Sequence, residues 1–139
     1  MPKLGYEDII ESLDSEQKKA VTGMENTVIS AGAGSGKTKV LASRYVHLIV
    51  KEKIPVENIL TLTFTQKATA EMYSRIYRTL ENCREKEAEV AVKNFSQAKI
   101  STIDSFCASV SRDACAGFGV APGFVIDDAK CRQLASKLA

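Results

Sequence analysis

Apolar runs separated by polar segments divide the chain into alternating strands and helices. Short runs rich in β-branched residues predict three strands, at Asn26–Ser30, Ile59–Phe64 and Ala98–Thr102. Apolar residues at helical spacing predict a helix after each of these strands. Because strands that alternate with helices form parallel sheets, the pattern predicts an α/β fold with a short parallel sheet flanked by helices.

The predicted helices have recognisable ends. The longest patterns cover Thr38–Val50, a segment from about Lys67, and a segment from Ser105 to about Cys115, and a further helix begins near Asp128. In the segment from Lys67, one apolar face is predicted, formed by Met72, Ile76, Tyr77 and Leu80. Before the first strand, Tyr6–Leu13 predicts a short helix and the next helix runs to about Thr22. Asp14 is the expected N-cap of that second helix, with Gln17 at the capping-box position.

Composition narrows the class of protein without identifying it. The chain has 139 residues, of which 45% are hydrophobic and 26% charged, as in one ordinary globular domain. A net charge of +2 neither requires nor excludes a nucleic-acid partner. No apolar run is long enough to span a membrane, and no signal peptide precedes the first helix. The four cysteines form no C-x-x-C pair, which favours free thiols in the cytoplasm over a zinc site or disulfides.

One segment has the pattern of a loop that binds nucleotide phosphates. The usual pattern, G-x-x-x-x-G-K-[ST] between a strand and a helix, is broken here only at its first position. Glycines allow successive N–H groups to point at an anion, and the helix N-terminus adds positive charge. Lys37 can reach the β- and γ-phosphates, and the Thr38 hydroxyl can ligate Mg²⁺. The alternative is a glycine-rich turn with an exposed lysine, which the flanking elements disfavour. The eight positions are Ala31, Gly32, Ala33, Gly34, Ser35, Gly36, Lys37 and Thr38.

Gln17 has two interpretations that the local pattern leaves open. It can simply close the capping box with Asp14. Its amide can also donate and accept hydrogen bonds together, which is what recognition of adenine requires.

Four segments in this order resemble the start of a superfamily 1 DNA helicase of the UvrD/Rep type. They are Leu13–Val21, Val28–Arg44, Ile59–Ile76 and Ile100–Cys107. Within that family they are most similar to the AddA/RecB helicase–nuclease branch, as is the segment Pro122–Ala129. The resemblance implies a partial RecA-like P-loop NTPase domain, truncated before the strand that carries the acidic pair. We expect residues 1–118 to belong to this motor domain and residues 119–139 to begin a helical insertion.

The resemblance also implies roles for individual residues in ATP binding. Gln17 matches the glutamine that contacts adenine, and Ala31 matches the first residue of the family's phosphate loop. Lys37 and Thr38 match the phosphate-binding lysine and the magnesium-binding hydroxyl, the two residues expected to serve catalysis. Lys39 stands where many members have an arginine along the base, although a lysine stacks less well. The implied cofactors are therefore ATP and Mg²⁺.

A second set of residues is implied to contact single-stranded DNA. Phe64, Thr65, Gln66 and Lys67 match the family's DNA-contacting motif, and an aromatic residue at a strand end can stack on a base. Without the resemblance, packing of Phe64 in the core would be the preferred interpretation. Ser105 can donate to a phosphate, whereas Asp104 would repel one and is expected to be a helix N-cap.

The family resemblance implies an ATP-dependent DNA helicase or translocase with 3′-to-5′ polarity. Its implied partners are single-stranded DNA or DNA ends, the remainder of the helicase chain and, for double-strand-break repair, a second protein of a helicase–nuclease complex. The acidic pair needed for hydrolysis is not evident, because "FVIDD" at Phe124–Asp128 better fits the start of the insertion. We therefore expect the chain alone to bind ATP but to hydrolyse it poorly. Two alternatives are a free-standing P-loop small-molecule kinase and a non-catalytic nucleotide-binding module.

Overall fold

The computed structural model describes residues 3–30, 32, 34, 36–119, 121, 123, 127, 133, 136 and 137. Helices and two parallel strands alternate over this part of the chain, which confirms the predicted α/β class. The helices are α1 (Tyr6–Glu11), α2 (Ser15–Thr22), α3 (Lys37–Val50), α4 (Gln66–Glu81), α5 (Lys86–Lys93) and α6 (Ile103–Ala114). The strands are β1 (Leu60–Thr63) and β2 (Lys99–Thr102).

The chain divides into two compact units, Met1–Ile103 and Asp104–Ala139. The first unit contains α1 to α5 and both strands. The second contains nearly all of α6 and the short 3-10 turn Cys115–Phe118.

The sheet in the described part of the chain consists of β1 and β2. The strands run parallel, with Leu60 opposite Lys99 and Thr63 opposite Thr102. Parallel neighbours need a long connection, and α4 and α5 supply it here. On β1, Thr61 is buried whereas Leu60 and Leu62 on the other face are 45% and 38% exposed.

The prediction of a strand at Asn26–Ser30 is wrong. The segment has no regular secondary structure, and Val28 is 98% exposed. A strand is stable only when its N–H and C=O groups pair with a neighbour. The described sheet contains β1 and β2 alone, so the segment has the composition of a strand but no pairing partner among the described residues.

The core of the first unit lies between α3, α4 and α5 and is centred on Phe95. Ile76 and Leu80 of α4 are fully buried against it, which confirms the predicted apolar face of this helix. Tyr73 and Tyr77 present their edges to Phe95, with ring centroids 4.7 and 5.3 Å away. Such edge-to-face pairs contribute about 0.5–1.5 kcal/mol beyond burial. They therefore help to fix α4, whose first turn contains the end of the predicted DNA motif.

Of the predictions for the C-terminal part of the chain, one is wrong and two concern residues that lie mostly outside those described. Asp104 is not the N-cap of α6, because the helix already begins at Ile103 and places Asp104 in its first turn. There its carboxylate still interacts favourably with the helix dipole. The predicted helix start at Asp128 and most of the segment Phe124–Asp128 lie outside the described residues.

His47, which has no partner in the sequence pattern, is a buried structural residue. Its Nδ1 lies 2.7 Å from the Tyr6 hydroxyl, and its Nε2 lies 3.5 Å from a carboxylate oxygen of Glu52. Burial lowers the pKa of His47, an effect that Glu52 opposes and that Arg44 and Lys51 reinforce. The ring therefore links α1 to α3 in its neutral form.

The lowered pKa of His47 predicts a loss of stability in acid. The unfolded chain takes up a proton near pH 6.5, whereas the folded chain resists it, so stability falls as the pH drops below about 6.5. A His47→Gln variant, which can still accept from Tyr6, should show a shallower fall of melting temperature between neutral and mildly acidic pH. Parallel profiles for the two proteins would contradict this assignment.

Candidate nucleotide and nucleic-acid sites

The phosphate loop has backbone angles that require glycine at two positions. Gly34 and Gly36 both have φ of +79°, in the left-handed region where a side chain is strained. Gly36 is also the N-cap of α3, so the loop leads directly into the helix. Ala31, Ala33 and Ser35 of the predicted loop lie outside the described residues. The described glycines therefore form the turn that the sequence pattern predicts.

Lys37 extends over this loop. Its Nζ donates to the carbonyl oxygen of Gly32 at 2.5 Å, which joins the first and last parts of the loop. The lysine side chain is exposed, and the neighbouring Thr38 is half-buried. An ammonium group that bonds a neutral carbonyl at the surface can transfer to a phosphate oxygen, because a phosphate also carries the opposite charge.

Gln17 completes the capping box of α2 and also lies beside the phosphate loop. Asp14 N–H donates to Gln17 Oε1 at 3.2 Å, and Gln17 N–H donates to Asp14 Oδ1 at 2.8 Å, which confirms the capping box. Gln17 Nε2 lies 3.4 Å from the position that a Cβ on Gly36 would take. Capping and a contact with a bound nucleotide are therefore compatible, since the amide reaches the loop while its oxygen holds the cap.

A cleft of about 400 Å³ lies between α2, α3 and the segment before the loop. Its walls are apolar at Ala20, Ile29, Val40 and Leu41, and its polar lining includes Gln17 and Lys37. Binding pockets for flat organic groups combine apolar walls with a few orienting polar groups. The cleft thus places a surface suited to a base beside the phosphate loop.

Two basic residues of α3 make contacts that the sequence did not reveal. Lys39, predicted to lie along the base, donates from Nζ to the carbonyl oxygen of Ser12 at 2.7 Å. Arg44, whose place in a helical pattern is typical of a surface charge, is half-buried and donates to carbonyl oxygens at the end of α2. These partners depend on how α2 packs on α3, and spacing along one helix carries no signal for such a tertiary contact.

Phe64 is 87% exposed, so packing in the core is wrong for this residue and its ring is open to a base. Side chains alternate along a strand, and Phe64 continues the exposed face of Leu60 and Leu62 just beyond the end of β1. Gln66 and Lys67 are exposed in the first turn of α4. The structure thus brings these three predicted DNA-contacting residues into one exposed turn.

Threonine hydroxyls hold that turn in place. Thr65 is the N-cap of α4 and accepts from Ala68 N–H at 3.1 Å. The Thr63 and Thr69 hydroxyls lie 2.7 Å apart, and the Thr69 hydroxyl also donates to the Thr65 carbonyl at 3.1 Å. A hydroxyl that accepts a hydrogen bond can also donate one, so the capping role of Thr65 leaves room for a phosphate contact.

The first turns of α3 and α4 are basic, unlike those of the other described helices. Acidic residues stand in the first turns of α1, α2, α5 and α6, where they complement the positive end of the helix dipole. The first turns of α3 and α4 contain no acid and carry lysines instead. Lysines without a neighbouring acid add to the positive potential at these two helix N-termini. The lysines concerned are Lys37, Lys39 and Lys67.

The other residues considered in the sequence form no further site among the described residues. Ser105 is exposed on α6 in the second unit, and its contact with DNA stays a prediction. Within the described ranges, no three histidine, cysteine or acidic residues cluster as metal ligands. Cys83, Cys107 and Cys115 are free thiols. None of the helices described is long and apolar enough to cross a membrane.

Comparison with known proteins gives consistent matches over nearly the whole chain. A family model described as the UvrD/REP helicase N-terminal domain matches residues 13–138. An ATP-dependent helicase/nuclease subunit from Alkaliphilus metalliredigens is 40% identical over 121 residues, which cover 82% of this chain and 10% of that protein. The protein of the same name from Anoxybacillus flavithermus is 40% identical over 122 residues, covering 81% of this chain and 10% of that protein. A probable DNA helicase II homolog of Mycoplasma capricolum is 33% identical over 126 residues, covering 90% of this chain and 16% of that protein.

Proposed function

Because the chain belongs to the UvrD/REP helicase N-terminal domain family, we propose that it is the ATP-binding part of an ATP-dependent DNA helicase or translocase. The chain spans about a tenth of the length of the helicase/nuclease subunits that it matches. For the whole protein we propose DNA unwinding coupled to ATP hydrolysis, within a helicase–nuclease that processes DNA ends. Because these relatives are named as subunits, we also propose a second protein chain as a partner.

The observation that carries the proposal is the position of Lys37 over the phosphate loop. Its Nζ bonds the Gly32 carbonyl, so the ammonium lies beside the loop that we propose binds the triphosphate. We assign Lys37 to the β- and γ-phosphates and the N–H groups of the glycine-rich loop to the same anion. The bond to Gly32 is exchanged for a bond to phosphate when the nucleotide enters.

Thr38 is the residue in this loop that can hold Mg²⁺. Its hydroxyl is a hard oxygen ligand of the kind that Mg²⁺ prefers, and it stands next to the lysine proposed to bind phosphate. When bound, the ion neutralises charge on the phosphates.

For DNA, we assign base stacking to Phe64 and phosphate contacts to the first turn of α4. An exposed aromatic ring gives any base a stacking face, which suits a motor that must move along every sequence. Lys67, Gln66 and the α4 N–H groups can hold phosphate oxygens without reading the sequence. The weaker candidates for phosphate contacts are Thr65, which also caps α4, and Ser105.

Exposure of Phe64 also decides against a small-molecule kinase. A kinase would need an acceptor pocket and has no use for a solvent-facing phenylalanine followed by a basic helix turn. A module that binds nucleotide without a motor role gives no reason for the lysine in the first turn of α4, where it opposes the helix dipole. The helicase assignment accounts for both features.

Gln17 provides a test of the nucleotide assignment that leaves the fold intact. Glutamine pairs with adenine by donating to N7 and accepting from the N6 amino group, and guanine presents two acceptors there instead. A Gln17→Glu variant keeps an oxygen that accepts from Asp14 N–H, so the capping box survives. We expect its preference for ATP over GTP to fall by about 1 kcal/mol, or roughly fivefold, at the low end of a bidentate base contact because Gln17 is half-exposed.

The measurement is a calorimetric titration of Mg²⁺–ATP and Mg²⁺–GTP into both proteins, with melting temperatures as the folding control. The wild-type chain should prefer ATP, and the variant should bind both nucleotides alike at an unchanged melting temperature. Equal preference for ATP in the wild type and the variant would exclude Gln17 as the adenine contact.

A further inference from the structure

The structure assigns Lys39 and Arg44 a positioning role: together they hold α2 against α3 so that Gln17 meets the base whose phosphates lie in the loop. This inference rests on the proposed function, because it concerns how the same nucleotide is selected. The inference goes beyond that function by giving two α3 side chains a role in base selection through the helix that carries Gln17, and Arg44 also lines the cleft beside it.

Arg44 holds the C-terminal end of α2. Its Nη1 donates to the carbonyl oxygens of Ala20 at 2.9 Å, Val21 at 3.2 Å and Gly23 at 2.6 Å. The last carbonyls of a helix have no partner within it, and the negative end of the dipole attracts a cation. One guanidinium therefore satisfies the carbonyl groups at the helix end and ties them to α3.

Lys39 holds the segment that leads into α2, at the C-cap of α1. Its Nζ donates at 2.7 Å to the carbonyl oxygen of Ser12, two residues before the N-cap Asp14. Lys39 and Arg44 therefore connect α3 to the segment just before α2 and to the C-terminal end of α2. Because the two anchors bracket Ser15–Thr22, they restrict sliding and rotation of α2, which carries Gln17.

The apolar contact between the helices does not fix this geometry by itself. Leu13 and Val21 are buried with Val40 in a small cluster between α2 and α3. Burial of apolar surface is non-directional, whereas hydrogen bonds require defined distances and angles. The cluster brings the helices together, and the two basic side chains set their register.

Register matters here because Gln17 lies close to the loop. Its Nε2 is 3.4 Å from the position of a Cβ on Gly36, the residue that begins α3. A shift of α2 by a fraction of a turn would move the amide away from a base in the cleft. The phosphate loop belongs to α3 and would stay in place, so such a shift should affect the base and spare the phosphates.

The test compares ligands that contain the base with one that lacks it. Mg²⁺ complexes of ATP, GTP and inorganic tripolyphosphate are titrated into the full chain carrying Arg44→Ala, Arg44→Lys or Lys39→Ala, below the melting temperature of each. We expect the ATP-to-GTP preference to fall about fivefold in Arg44→Ala, with tripolyphosphate affinity unchanged. In Arg44→Lys the preference should fall part of the way, because a rotatable ammonium on a flexible stem fixes the carbonyls less rigidly than a planar guanidinium does. Arg78→Ala, which removes an exposed arginine of α4, is the matched control.

A second comparison keeps the inference falsifiable if Arg44→Ala folds poorly. In a Gln17→Glu background, Arg44→Lys should cause no further loss of ATP preference, since the side chain that it positions no longer reads the base. Additive losses, or equal losses for ATP and tripolyphosphate, would overturn the positioning role. Failure of the wild-type chain to bind tripolyphosphate through Lys37 would instead overturn the proposed function, and this inference with it.

Discussion

Replacing Lys37 with alanine is expected to lower the affinity of the chain for Mg²⁺–ATP by about 1.5–3 kcal/mol, or roughly 10- to 150-fold. The variant loses a charge-assisted hydrogen bond to the β- and γ-phosphates, which in this loop are otherwise held by weaker backbone N–H groups. The fold should be unaffected, because the side chain is exposed and its contact in the free protein is with the Gly32 carbonyl. Calorimetry on both proteins measures the loss directly.

Lys93→Ala is the matched control for that experiment. Lys93 is also exposed and lies in the last turn of α5, so its removal changes the net charge by the same amount. If the two variants lose ATP affinity equally, the effect is one of overall charge. The phosphate assignment of Lys37 would then have no support.

Replacing Phe64 with alanine is expected to weaken binding of single-stranded DNA by about 1–3 kcal/mol, or roughly 5- to 150-fold. The ring is 87% exposed, so alanine removes a stacking surface without opening a cavity in the core. A Phe64→Trp variant should retain or improve affinity, because it offers a larger aromatic face. Fluorescence anisotropy of a labelled oligothymidine at low salt measures all three proteins.

Phe118→Ala tests whether any exposed phenylalanine would have the same effect. Phe118 is 83% exposed and lies in the second unit, in the 3-10 turn after α6. Its replacement should leave DNA affinity unchanged. A loss equal to that of Phe64→Ala would point to non-specific apolar attraction and remove the case for a stacking site.

Local patterns predicted the helices and caps of the first unit well. The capping box of Asp14 and Gln17 depends on two residues three positions apart, and both of its hydrogen bonds are present. The apolar face of α4 depends on spacing within one helix, and Ile76 and Leu80 are buried as that spacing predicts. The glycine pattern likewise predicted a turn whose left-handed angles occur at Gly34 and Gly36.

Features that depend on distant segments were predicted poorly. The strand at Asn26–Ser30 has the right composition, but strands form only in pairs and the pairing partner is set by the topology. Arg44 has a helical pattern typical of a surface charge, and only the packing of α2 on α3 brings it to its carbonyl partners. Phe64 lay at the end of an apolar run, where sequence alone favoured burial. Its exposure follows from the face of β1 that packs on α4.

The most direct test of the two assigned sites is a crossed titration of two ligands against two variants. Mg²⁺–ATP and a single-stranded oligothymidine are titrated separately into the wild-type chain, Lys37→Ala and Phe64→Ala, with melting temperatures as folding controls. We predict that Lys37→Ala loses ATP affinity and keeps DNA affinity, whereas Phe64→Ala does the reverse. Unchanged ATP affinity in folded Lys37→Ala, or parallel losses of both ligands in both variants, would contradict these assignments.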